Sequence, residues 1–270
     1  MKQGLSVPNF GEFFDPRVVA DLAREAEQAG WDGFFTWDHI LPWGEAPVAA
    51  PWVTLSAVAL ATERIRLGPM VTPLARRRPW VVARQAVTLD HLSGGRLVLG
   101  VGLGFPPDRE FGTFAEETSD RVRAEKLDEA LAILDGMWSG EPFGFEGKHF
   151  QVARNTFLPR PVQQPRIPVW VAGMWPGSAP FQRAARWDGV FPIDAATGGA
   201  AFTPEDLAEV VALLKQQRGD LEGFEVVAGL ARGRRAAEYE AAGATWVMSG
   251  PDLESGVGGL RPRIAAGPPK

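Results

Sequence analysis

Two hydrophobic periods share this chain. Short apolar runs at GLSV (4–7), GFFTW (33–37), IRLGPMV (65–71) and RLVLGVG (96–102) are separated by stretches whose apolar residues recur every three or four positions. A strand with one wet face would alternate, so the unbroken runs read as strands covered on both sides. The stretches between them read as helices. Asp15-Pro16 fits an N-cap and first helical residue; Val18, Val19, Leu22, Ala23 and Ala26 follow at helical spacing, and Gly30 closes the segment. Pro51 and Pro79 open the next two helices, the second running to Leu92. Strand starts near Gln3, Gly33, Ile65 and Arg96 recur about every 31 residues, the length of one strand–helix unit with a parallel return.

The second half continues less evenly. RAEKLDEALAILDGMW (123–138) is an amphipathic helix and PVWVAG (168–173) a strand. Residues 178–187 read as helix, DGVFPI (188–193) as strand, and Thr203-Pro204 starts a helix to Arg218. FEVVAG (224–229), a helix over 233–242, ATWVMSG (244–250) and a weak last helix complete the series. The pattern predicts one domain, residues 1–270: an α/β fold of eight units, a (β/α)8 TIM barrel. Insertions fall after strand 4 (102–118) and before strand 5 (139–166), and SGEPFGFEGKHFQV (139–152) in the second suits a hairpin.

Composition narrows the chemistry. The net charge of −5 argues against nucleic acid as a partner. With no cysteine, disulfides, iron–sulfur clusters and thiolate zinc are excluded, and with only His39, His91 and His149 no histidine metal site is expected. The start MKQGLSVPNFGEF lacks the apolar core of a signal peptide, and no window reaches the about 18 apolar residues of a membrane span. A cytoplasmic protein acting without a membrane is the expectation. Ten Trp and 16 Phe against one Tyr supply aromatic surface able to wall a pocket for a flat ligand.

In a barrel, chemistry gathers at the C-terminal ends of the strands. Asp38 and His39 follow the second strand directly, so both are expected at the mouth. A histidine can give or take a proton near neutrality, and Asp38 could orient it; otherwise Asp38 caps a turn and His39 packs on Trp43. The third, fourth and fifth strands end in GPMVTP (68–73), GVGLG (100–104) and VAGMWPGS (171–178). Their glycines either make tight turns or let a planar ligand approach the backbone, and the last run enters a helix whose free N–H groups suit a phosphate. Arg76, Arg77 and Arg78 read as a solvated basic loop in preference to an anion grip.

The run VTPLARRRPWVVARQAVTLDHLSGGRLVLGVGLG (71–104) resembles the signature of the bacterial luciferase-like family, which comprises FMN-dependent monooxygenases and coenzyme F420-dependent oxidoreductases. The likeness extends to AREAEQAGWDGFFTWDHI (23–40), RAEKLDEALAILDGMWSGEPFGFEGKHF (123–150) and PVWVAGMWPGS with RAARWDGVFP (168–192), about three quarters of the chain. It implies an oxidoreductase or monooxygenase acting on a small organic substrate, by hydride transfer or by a flavin-peroxide, with reduced FMN or the deazaflavin F420 across the strand ends. It also implies a homodimer. A flavin-binding protein or subunit without turnover is the alternative.

Residue by residue, the resemblance implies a cis peptide at Met70–Val71 beneath the cofactor ring, with Asp38, Gly102 and Gly104 beside it. Gly173, Met174, Gly177 and Ser178 fall where the family holds the cofactor phosphate. His39, with Asp38 and with Trp43 over the substrate, is similar to the catalytic group of the sugar-phosphate dehydrogenases in the deazaflavin branch. Two positions depart. Phe105 stands where that branch carries an acidic glutamate, and Leu103 where luciferase α-subunits carry an arginine for the FMN phosphate.

Overall fold

Each predicted strand–helix unit closes on the next in the computed structural model, which describes residues 1–42, 44–195 and 202–269. The first units are β1 (Lys2–Val7), α1 (Pro16–Gln28), β2 (Gly33–Thr36), α2 (Pro51–Ala61), β3 (Arg66–Pro69), β4 (Thr72–Pro73) and α3 (Pro79–Leu92). Asp15 caps α1, its carboxylate accepting from the Arg17 N–H at 2.9 Å. β5 (Leu99–Gly102) ends the first half, followed by the short α4 (Pro107–Glu110) and the long α5 (Asp120–Trp138). The predicted hairpin is present as β6 (Phe143–Glu146) paired antiparallel with β7 (Gln151–Asn155). The chain continues through β8 (Val169–Trp175), α6 (Ala179–Ala184), β9 (Gly189–Asp194), α7 (Pro204–Arg218), β10 (Glu225–Gly229), α8 (Ala236–Ala241), β11 (Trp246–Ser249) and α9 (Gly256–Ala265).

The main sheet runs β3-β2-β1-β11-β10-β9-β8-β5-β4, every pairing parallel. Its two end strands are halves of one barrel strand, interrupted at the cis Met70–Val71 peptide, and a parallel bridge between Leu67 and Leu97 helps close the ring. Among the described residues eight barrel strands result, as the periodicity predicts.

Alternation along each strand divides the core in two. Phe34 points outward into the large cluster shared with the helices, while Phe35 points inward. The lumen is filled by Phe35, Met70, Val98, Trp170, Val227, Trp246 and Met248, with Val71 and Phe191 packed on them and partly exposed. Trp246 pairs in register with Lys2 at the start of β1, so the aromatic plug of Phe35, Trp170 and Trp246 (ring centroids 5.3–6.1 Å apart) closes the N-terminal end. Among the described residues, no helix is long and apolar enough to cross a membrane.

Candidate active site

The parallel strands bring the ends of β2, β4, β5 and β8 to one face of the barrel. There the Asp-His pair takes two different orientations. The His39 side chain keeps 18% of its surface exposed; the Asp38 side chain keeps 1%. Both were expected to look into the mouth, but Asp38 turns into the protein. Its carboxylate accepts from the Thr72 hydroxyl at 3.0 Å, from Arg76 at 2.8 Å and from Arg77 at 2.8 Å. A carboxylate desolvated this far needs such partners, since burying a lone charge costs many kcal/mol. Asp38 therefore anchors the β2 exit to the β4 exit. Trp43 lies outside the described residues.

The arginine run also departs from the solvated-loop reading. The Arg76 side chain is 2% exposed and bridges two acids: it donates to Asp38 and, in a short contact, to Glu110 Oε2. The Arg77 side chain is 24% exposed and closes the pair on Asp38. Two guanidinium groups against two carboxylates leave the cluster balanced.

Glu110, at the end of α4, was not among the predicted residues. Its Oε1 lies 3.0 Å from His39 Nδ1, and its Oε2 accepts the Ile40 N–H at 3.1 Å. Burial pushes the Glu110 carboxyl up, but the hydrogen bonds from His39 and Ile40 and the charges of His39 and Arg76 outweigh it, leaving it below the usual carboxylate range. Asn9, after β1, is the second missed residue. Its side chain accepts the His39 N–H at 3.2 Å and donates to the carbonyls of His39 and Ala49, both at 2.8 Å. Phe10 and Trp37 stand edge-on to the imidazole at 6.1 and 5.9 Å. No local signal marks Glu110, which sits in PPDREFG and reads as one more charge on a wet loop.

The predicted cofactor residues divide by what surrounds them. The Met70 side chain belongs to the lumen packing, while Val71 is partly exposed on top of it. Three of the glycines are required by the chain's own packing. A Cβ on Gly102 would come 2.9 Å from Val71 Cγ2, one on Gly104 (φ +85°) 2.8 Å from Phe111, and one on Gly173 2.3 Å from Pro180. Gly177 differs, with only the Met174 carbonyl oxygen near that position, at 3.3 Å. Ser178 makes no capping hydrogen bond to α6. A cavity of about 440 Å³ opens beside the ion network, lined among others by Asp38, His39, Trp52, Arg76, Arg77 and Gln85. It lies towards the starts of α2 and α3, and none of the predicted cofactor residues beyond Asp38 lines it.

A parallel barrel with a histidine and a buried ion network at its C-terminal rim defines a class of α/β barrel proteins with the site at the strand ends. Residues 2–253 match the model of the luciferase-like monooxygenase family, and the chain belongs to that family. Over 173 residues it is 35% identical to the F420-dependent glucose-6-phosphate dehydrogenase of Nakamurella multipartita, covering 62% of this chain and 49% of the relative. The chain thus spans about half the length of that curated relative. Among solved structures, an F420-dependent secondary alcohol dehydrogenase holding an F420–acetone adduct superposes with a TM-score of 0.80 at 19% identity, over 98% of both chains. The monooxygenase RslO1 of Streptomyces bottropensis gives 0.71 at 23% identity, over 98% of this chain and 82% of that one. At these identities the superpositions speak for the fold.

Proposed function

We propose that this protein is an oxidoreductase that uses a deazaflavin or flavin to move a hydride to or from a small organic substrate, with coenzyme F420 the first reading and FMN the second. Family membership and the F420-dependent relative support the cofactor class. The observation that carries the reading is one partly exposed imidazole, held by a buried carboxylate, at the rim of a barrel whose lumen top is apolar.

The residues present fit a planar ring with a phosphate-bearing tail. Val71 and Phe191 offer a partly exposed apolar bed, and Gly177 leaves bare backbone beside the uncapped Ser178 hydroxyl. In this reading Val71 and Gly102 would contact the ring, and Met174, Gly177 and Ser178 would receive the phosphate. The bound cofactor supplies the hydride donor or acceptor. His39 holds or delivers the proton at the substrate oxygen, while Phe10 and Trp37 keep water from it. We take the substrate to be an alcohol or carbonyl compound; Phe105, 52% exposed, stands where the sugar-phosphate branch carries its acidic glutamate, which speaks against glucose-phosphate oxidation.

Titrating the apoprotein with F420 and with FMN, read by absorbance and fluorescence, tests the cofactor; saturable binding of one and not the other is expected. His39→Ala is then expected to lower turnover by about 10²–10⁴ with little change in cofactor affinity. Equal turnover in the two proteins removes His39 from the chemistry. A flavin-binding subunit without turnover is the second reading, favoured by Phe105, and tightly held but inert cofactor would establish it.

We also propose a homodimer. α2 (PWVTLSAVALA) has no charged residue, yet Val53 and Leu60 on one face are 63% and 74% exposed, with Val81 of α3 at 47%. An uncharged helix with large apolar side chains on a wet face calls for a partner. Light scattering should give twice the chain mass, and Leu60→Asp should halve it.

A further inference from the structure

We propose that Glu110 is the positioning residue of His39: from inside the fold it holds the imidazole proton on Nδ1. The inference rests on the reading of His39 as proton carrier and adds the group that orients it.

The carboxylate is committed on every side the structure describes. Oε1 faces His39 Nδ1 at 3.0 Å, and Oε2 takes the Ile40 N–H at 3.1 Å and the Arg76 guanidinium. Its side chain is 1% exposed against 18% for His39, so a ligand reaches the imidazole and not the acid. Arg76 and the Ile40 N–H stabilise the anion, and an ionised carboxylate only accepts hydrogen bonds. The hydrogen between the two groups therefore belongs to the imidazole. In the neutral ring that leaves the lone pair on Nε2, the nitrogen turned away from Glu110.

The remaining neighbours restrict the ring further. Asn9 pins the His39 peptide from both its N–H and its carbonyl, and Phe10 and Trp37 flank the ring plane. The other ionisable groups of the cluster, Arg76, Arg77 and Asp38, are paired with one another or with Glu110. Glu110 is thus a different device from the acid missing at position 105. That acid is implied by resemblance to serve as a proton source; the Glu110 carboxylate is engaged by the chain and acts through His39.

The experiment is a nitrogen NMR measurement on apoprotein labelled with ¹⁵N-histidine, where His39→Gln assigns the signal among the three histidines. In the wild type the neutral ring should carry its proton on Nδ1. In Glu110→Gln, which keeps the shape and loses the charge, the signal should move towards a mixture of both tautomers, and turnover should fall about 10- to 1,000-fold with cofactor affinity retained. A wild-type ring protonated on Nε2, or an identical tautomer in Glu110→Gln, overturns the proposal. The wild-type spectrum decides even where the variant does not fold. Full turnover in His39→Gln beside the expected tautomers would instead remove the proton-carrier reading and leave the positioning contact standing.

Discussion

The two ends of this barrel use the same charged residue types in opposite ways. At the N-terminal end, Lys2 meets Glu225 at 2.9 Å and Arg166 meets Asp188 at 3.0 Å, with side chains 21–54% exposed. At the C-terminal end, Asp38, Arg76 and Glu110 are 1–2% exposed and bound to one another. Water screens the first set, so each pair contributes little and can be lost cheaply. The second set has exchanged water for its own partners, so each member depends on the others. Such an arrangement is a poor source of net stability but a good way to hold a few atoms in place. It sits around His39.

The contrast can be tested by removing one cation from each end. Arg76→Ala takes the shared cation from two buried carboxylates, leaving Asp38 with Arg77 and Thr72 and Glu110 with His39 and the Ile40 N–H, and is expected to destabilise the fold by about 3 kcal/mol in denaturant unfolding. A loss below about 1 kcal/mol would mean that water enters the cluster and screens it. Acid gives an intermediate effect. Glu110 has its folded pKa lowered below 4.5, so its contribution is fully present above that pH and is lost as pH falls through the folded value. The stability gap between wild type and Glu110→Gln, measured by thermal melts, should therefore be widest near neutrality and narrow below about pH 4.5. The smallest effect is expected at the other end. Lys2→Ala should cost under about 1 kcal/mol and less still in high salt. A larger, salt-independent loss would point instead to Lys2 packing over the Trp246 ring, 5.3 Å from its centroid.

Within the site, glycines that look alike in sequence serve different ends. Gly102, Gly104 and Gly173 are bare because Val71, Phe111 with Pro73, and Pro180 occupy the space a side chain would need. At Gly177 only the Met174 carbonyl oxygen comes near that position, at 3.3 Å, and no side chain does. Counting glycines at strand exits therefore finds the right end of the barrel, yet it does not separate packing from ligand access.

The family resemblance implied the break in the third strand, while the sequence by itself determined the repeating unit, the parallel barrel and the hairpin before β8. Those features follow from local terms: apolar period, proline at helix starts, and runs too apolar to leave a face wet. Only the tertiary structure decided which polar residues form the site. His39 meets Glu110 across 71 positions and Asp38 meets Arg76 across 38, through side chains whose local sequence looks solvated. Whether a charge is buried and paired depends on what the rest of the fold brings to it, and no short window of sequence contains that partner.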